Sequence, residues 1–229
     1  MQDEYLGLFT VMSFTGLSLG SVLLSVLTRY SKGNRAFAII LALGSIAFGI
    51  LISKMFGLPD PRTIGSGNPG ATNVLRSGKK SAAALTLLGD AFKGWFPVWF
   101  VMQPDGGLMW VTSAVAISVF VGHLYPVFYK FKGGKGVATA LGILLAISPW
   151  LALLIMLTWV LVFAATKYSS LAAIVASILL PIYAGSLNWF EAYRDYEIVF
   201  VFLAVMLVWR HRTNIQKLLN GTESGFGKK

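Results

Sequence analysis

Cysteine is absent from this 229-residue chain, and charge is scarce, with 12% of residues Asp, Glu, Lys or Arg. The first absence removes a disulfide framework, a thiolate nucleophile and any cysteine metal site. The second is about half the charge of an ordinary water-soluble domain. Acidic side chains are the rarer sign, nine against nineteen Lys and Arg, for a net charge of +10. In a chain this apolar the excess reads as topology, with lysines and arginines collected in cytoplasmic loops. No aromatic-interleaved basic stripe or nucleic-acid module points to a nucleic-acid partner. The opening Met1-Gln2-Asp3-Glu4 lacks the basic segment that begins a cleavable signal peptide.

What is present is hydrocarbon: 56% of residues are hydrophobic and the mean hydropathy is +0.71. This composition predicts an all-α, polytopic membrane bundle, with loops too short for a separate soluble domain. Runs near the roughly 20 residues of a span fall at 36–54, 82–102, 108–128, 169–188 and 196–210. The stretch 137–166 carries Ser148-Pro149-Trp150, and so admits one kinked span or two short helices.

Charge arbitrates. Three basic clusters (Arg62, Arg76, Lys79, Lys80; Lys130, Lys132, Lys135; Arg210, Arg212, Lys217) belong on the cytoplasmic face. Asp105, Glu191, Asp195 and Glu197 mark the opposite connections. An even number of crossings must then lie between Lys135 and Arg210, which two helices at 137–147 and 150–166 supply. Seven spans from residue 36 onward follow. Residues 1–35 are an N-terminal apolar extension whose run 8–28 is long enough to span, yet Arg29, Lys32 and Arg35 behind it oppose the charge rule. The run either crosses against that rule or lies along the interface. Gly16 and Gly20 there are either a small-residue packing pair or glycines that occur by chance in an apolar run.

Three polar segments fall on the predicted cytoplasmic face. The first, residues 65–76, runs Gly-Ser-Gly-Asn-Pro-Gly-Ala-Thr-Asn-Val-Leu-Arg. Turn-forming residues alone would explain its composition, but twelve residues exceed a turn, and the absence of carboxylates with a closing arginine suits an anion. The second runs from Gly122-His123-Leu124-Tyr125-Pro126 to Phe131-Lys132-Gly133-Gly134-Lys135-Gly136-Val137-Ala138-Thr139. Glycines let successive N–H groups converge, lysines add charge, and a helix starting near Gly136 aims its dipole at the same anion. A nucleotide P-loop is excluded, because Gly136 stands where Ser or Thr must follow the lysine. His123 by itself reads as an interfacial histidine held by backbone, and Lys130 and Lys132 are explained by topology. The third segment is residues 209–218, where His211 and Asn214 share a helix face. Asp90 and Lys93, three apart inside a predicted span, read as a self-neutralising pair, with Asp90 a candidate orienter of a cationic site residue.

These motifs, with Arg-His-Arg-Thr-Asn-Ile at 210–215 and Gly221 and Glu223, resemble the three signatures of the bacterial PlsY family of membrane acyl-phosphate:glycerol-3-phosphate acyltransferases. The resemblance covers about 36–223, leaving 224–229 as a tail, and departs at position 47, where alanine replaces an expected proline. It implies transfer of a fatty acyl group from acyl-phosphate to the primary hydroxyl of glycerol-3-phosphate, in the bacterial inner membrane, with the site facing the cytoplasm. It implies no metal and no cofactor; the partners are the two substrates and membrane lipid. Ser66, Arg76, Lys135, His211 and Asn214 are the catalytic residues so implied. Gly67, Asn68, Gly70, Thr72, Asn73, His123, Lys132, Gly133, Gly134, Gly136 and Thr139 complete the substrate pocket.

A mixed anhydride needs no enzyme nucleophile, in keeping with zero cysteines. The sequence spacing also writes no histidine–carboxylate dyad: Phe128 and Gln216 stand five residues after the two histidines. The substrate phosphate, with a second pKa near 6, is then a candidate proton acceptor. Two other readings stand beside this one. An anion transporter would want a midplane site between two related halves, and a headgroup-binding scaffold would leave His211 and Asn214 unexplained.

Overall fold

The computed structural model of the chain describes residues 44–102, 109–186 and 196–226. The expected extension at 1–35, the first part of the span at 36–54 and the connections at 103–108 and 187–195 lie outside the described residues. Among the described residues every regular element is helical: α1 (Phe48–Met55), α2 (Ala71–Leu75), α3 (Lys80–Met102), α4 (Met109–Leu124), a 3-10 turn (Val127–Tyr129), α5 (Val137–Ile147), α6 (Pro149–Thr166), α7 (Ser169–Ser186), α8 (Glu197–Arg210) and α9 (Arg212–Leu219).

The ambiguous stretch forms two helices. Ser148 is extended (φ −146°, ψ 92°), its hydroxyl accepts the Leu151 N–H at 3.4 Å, and Pro149 takes the first position of α6, where no helical N–H is needed. With eleven residues, α5 is about 16 Å long, roughly half the thickness of a bilayer core. The expected count of seven crossings is therefore not reached by length alone. Met109–Tyr129, α6 and α7 are each long and apolar enough to cross, and α8 with α9 forms a fourth candidate bent by 53°. The 23 residues of α3 reach about 34 Å, but the helix carries Asp90 and Lys93.

The core is built around α4. Its Val115, Val119, Phe120 and Leu124 are buried in one cluster with Ile143 and Leu144 of α5 and Val199, Phe200 and Leu203 of α8. The closest helix crossing is between α3 and α5. A Cβ at Gly142 would lie 2.0 Å from the Ala91 carbonyl oxygen, and one at Gly94 would lie 2.3 Å from that of Thr139. Glycine at both positions lets the backbones meet, and this contact sets where the start of α5 stands. On the outside, Trp150, Leu161 and Ile198 are exposed, and Phe92, Phe96 and Phe100 run up one side of α3. Such a surface fits lipid and would aggregate in water.

Ahead of α1, residues 45–47 leave the helix, and the Lys93 ammonium donates to the freed Ile46 carbonyl at 2.6 Å. A carbonyl freed from a helix within an apolar bundle needs such a partner. The interruption falls at the position where alanine replaces the expected proline.

Candidate active site

Asn73 organises the first polar segment. Its amide nitrogen donates to the carbonyls of Pro61 (2.6 Å) and Ile64 (3.1 Å), and its oxygen accepts the Ser66 N–H at 2.9 Å. A buried asparagine bonded this way closes residues 61–73 into a fixed loop. Ser66 and Gly67 are thereby held at the exposed edge, Asn68 and Thr72 are half-buried, and Gly70 caps α2. The amide of Asn73 shapes the loop from within. Arg76, at the end of α2, is exposed and donates to the Ser224 hydroxyl (2.9 Å) and carbonyl (3.2 Å).

The second segment is pinned from two sides. The Gly134 N–H donates to the His123 carbonyl at 3.3 Å, and the imidazole of His123 lies so close beneath that a Cβ on Gly134 would come within 2.3 Å of its Nε2. From the other side, Arg210 donates to the carbonyls of Gly133 (3.0 Å) and Gly134 (2.8 and 3.2 Å). Gly136 then adopts φ +94°, a left-handed conformation that favours glycine, and α5 begins with no side-chain cap on its N-terminus. The first N–H groups of that helix are unsatisfied within it, which is the usual seat of an anion. Thr139, in the first turn, is fully buried and its hydroxyl has no hydrogen-bond partner among the described residues.

Lys135 reaches from this loop to the third segment. Its ammonium donates to Asn214 Oδ1 at 2.7 Å, while Asn214 Nδ2 donates to Glu223 Oε1 at 2.7 Å, which also accepts the Ser170 hydroxyl at 2.6 Å. Burial is the main cause that lowers the Lys135 pKa to about 8; Glu223 opposes the shift, and Arg210, Lys217 and Arg76 add to it. His211, buried at the α8–α9 corner, lies 2.8 Å through Nδ1 from the Leu207 carbonyl. Because a carbonyl only accepts, Nδ1 carries the proton there. The chain after α9 returns as a strap. Glu223 meets Asn214 and Ser170, Ser224 meets Arg76, and the Phe226 N–H donates to the Lys167 carbonyl at 2.9 Å.

Lys135, His211 and Asn214 are thus gathered at one end of the bundle, and Arg76 joins them through the strap. Lys132 is exposed in the same loop. A histidine–carboxylate contact that local spacing could not write exists in three dimensions: His123 Nδ1 stands 3.5 Å from Asp90 Oδ1, which pairs with Lys93 at 2.7 Å. The separation exceeds an ordinary hydrogen bond. Sequence reasoning gave Arg210 only a topological part and did not single out Ser170 or Ser224. Its one usable signal for Arg210 was adjacency to His211.

Glycine-rich loops and a half-buried lysine at one end of an apolar helical bundle mark a helical membrane protein with a candidate anion site there. The chain belongs to the glycerol-3-phosphate acyltransferase family, whose model matches residues 35–221. A glycerol-3-phosphate acyltransferase of Methylobacillus flagellatus is 62% identical over 86% of this chain and 99% of its own length. One from Bordetella pertussis is 53% identical over 89% of this chain and 97% of its own. Among solved structures, PlsY, an integral membrane glycerol 3-phosphate acyltransferase in its glycerol 3-phosphate form, superposes with a TM-score of 0.77 at 39% identity, covering 84% of this chain and 94% of that one. Its lysophosphatidic acid form gives 0.75 at 37% identity.

Proposed function

We propose that this protein transfers a fatty acyl group from acyl-phosphate to the primary hydroxyl of glycerol-3-phosphate, yielding 1-acylglycerol-3-phosphate and inorganic phosphate. The observation that carries this reading is the convergence of the Lys135 ammonium, Asn214 and the uncapped start of α5 at one mouth of the bundle. Two anionic substrates held there meet in line, which raises their effective concentration and offsets charge developing on the carbonyl and departing phosphate. The hydroxyl oxygen bonds to the acyl carbon, the anhydride C–O bond breaks, and phosphate leaves with its electron pair. The hydroxyl proton passes to a substrate phosphate oxygen, a substrate-assisted step that requires no enzyme base.

In this reading Lys135, Asn214, His211, Arg76 and Ser66 serve the phosphates, with the backbone of 67–72 and 133–136 around them, and Asn73 and His123 supporting the two loops. Residues 36–223 are the catalytic membrane domain, crossing the inner membrane seven times with the site toward the cytoplasm. Residues 1–35 are an N-terminal apolar extension. The clustering of all three motifs at one end supports an enzyme over a carrier, whose site would sit at the midplane.

Purified protein in lipid nanodiscs, given palmitoyl-phosphate and glycerol-3-phosphate, should release phosphate only when both are present, and Lys135→Ala should abolish release. Release with acyl-CoA as donor and none with acyl-phosphate would overturn the donor assignment. Exchange of glycerol-3-phosphate across vesicles without phosphate release would favour the carrier.

A further inference from the structure

We infer that Arg210 is a positioning residue of the anion site, acting by fixing the peptide planes of the glycine loop. The inference rests on the proposed chemistry at Lys135. Its guanidinium makes three hydrogen bonds to two successive carbonyls, Gly133 O at 3.0 Å through Nη2 and Gly134 O at 2.8 and 3.2 Å through Nη2 and Nε. In a trans peptide the carbonyl and the following N–H point in opposite directions. Drawing the Gly133 carbonyl toward Arg210 therefore turns the Gly134 N–H away, where it meets the His123 carbonyl at 3.3 Å. Drawing the Gly134 carbonyl the same way turns the Lys135 N–H to the far side from Arg210. Two carbonyls that would repel an anion are thus turned toward Arg210, and, with the Gly134 N–H taken by His123, it is the Lys135 N–H that leads into the start of α5.

Glycine at 133 and 134 makes these planes free to turn, so without a clamp the loop has many alternatives. The fork of the guanidinium spans two acceptors, which a lysine ammonium on its flexible stem does not reproduce. The Tyr125 ring, 5.6 Å from the guanidinium carbon, steadies it from the side. Topology alone asks only for a positive charge at the end of α8 and would be met by lysine. The spacing of 76 and 77 residues between donor and acceptors makes the contact a product of the fold.

The test is Arg210→Lys in the full-length protein in nanodiscs, with melting temperature, phosphate release and product inhibition by inorganic phosphate measured together. The expected result is only a small fall in melting temperature, with inorganic phosphate binding weakened at least tenfold and kcat/KM lowered about 100-fold, the scale of a misplacement of about 1 Å. Arg210→Ala should regain part of its activity with added guanidinium ion, whereas Lys135→Ala should not. Wild-type phosphate inhibition in Arg210→Lys would overturn the inference. So would a loss of activity that only tracks loss of fold and is not relieved by guanidinium in Arg210→Ala. If the wild-type protein binds inorganic phosphate but turns over no acyl-phosphate, the proposed reaction fails while the phosphate-binding arm still decides the role of Arg210.

Discussion

Replacing Gly142 by alanine probes the link between helix packing and chemistry. The added methyl would lie 2.0 Å from the Ala91 carbonyl oxygen, 2.9 Å from its carbon and 3.0 Å from the Trp95 nitrogen, all backbone of α3. Ordinary contact begins near 3.4 Å, so α5 must retreat by about 1.4 Å at this point, since no flexible side chain is available to yield. Overpacking of this kind costs about 1–3 kcal/mol, and more where only backbone can move. Gly142 lies six residues beyond Gly136, on the same short helix that begins at the glycine loop. A shift of that helix changes the distance from Lys135 to Asn214, now 2.7 Å. About 100-fold in kcat/KM is the expected loss, from a misplacement on the order of 1 Å. Phosphate release and a melting curve for Gly142→Ala, beside the exposed-site control Gly185→Ala, which has open space around its Cβ, measure both effects. Wild-type activity and stability in Gly142→Ala would refute the claim that this crossing sets the loop.

Further outcomes follow from the same geometry. The kcat/KM profile should rise as glycerol-3-phosphate becomes a dianion, with a second pKa near 6, and fall as Lys135 loses its proton near pH 8. Lys135→Arg should remove the alkaline fall if that assignment holds. Because the folded pKa lies below the ordinary lysine value of 10.5, the unfolded chain binds more protons between about pH 8 and 10.5, so the contribution of Lys135 to stability grows there while activity declines. Asn73→Ala removes three hydrogen bonds within the first loop and should destabilise it by about 2–4 kcal/mol, seen as faster amide exchange across residues 61–70. Lys93→Met leaves Asp90 buried without its 2.7 Å partner and should cost about 3–5 kcal/mol, whereas the double change Asp90→Asn with Lys93→Met should recover much of the loss. Equal melting temperatures, both below wild type, would assign the loss to the Ile46 carbonyl left without its donor and not to an unpaired Asp90.

Much of the plan was legible from residues alone, because its causes are local. An apolar run needs no partner to declare its preference for lipid, and Ser148-Pro149 ends one helix and starts the next through its own cap and ring. The three polar motifs stand out for the same reason, since glycines, amides and lysines between hydrocarbon runs have few purposes. The count of crossings was less legible. Charge parity asked for a crossing at 137–147, while an α5 of eleven residues is too short to span the core unaided.

The tertiary structure decided which residues of those motifs face one another and which support from behind. Asn73 looked like a ligand amide, yet its hydrogen bonds run to Pro61, Ile64 and Ser66, which makes it the internal brace of its loop. Arg210 looked like a topological charge and proved to clamp Gly133 and Gly134. Glu223 joins Ser170 to Asn214, and Ser224 takes Arg76, across separations of 53 and 148 residues. Asp90 and His123 come within 3.5 Å although they lie on different helices. A sequence determines by itself what each segment prefers as solvent and as local geometry, because those energies depend on near neighbours. Which side chains share a site depends on how helices pack, and here that is set by close glycine contacts such as Gly94 with Thr139 and Gly142 with Ala91, which no local pattern encodes.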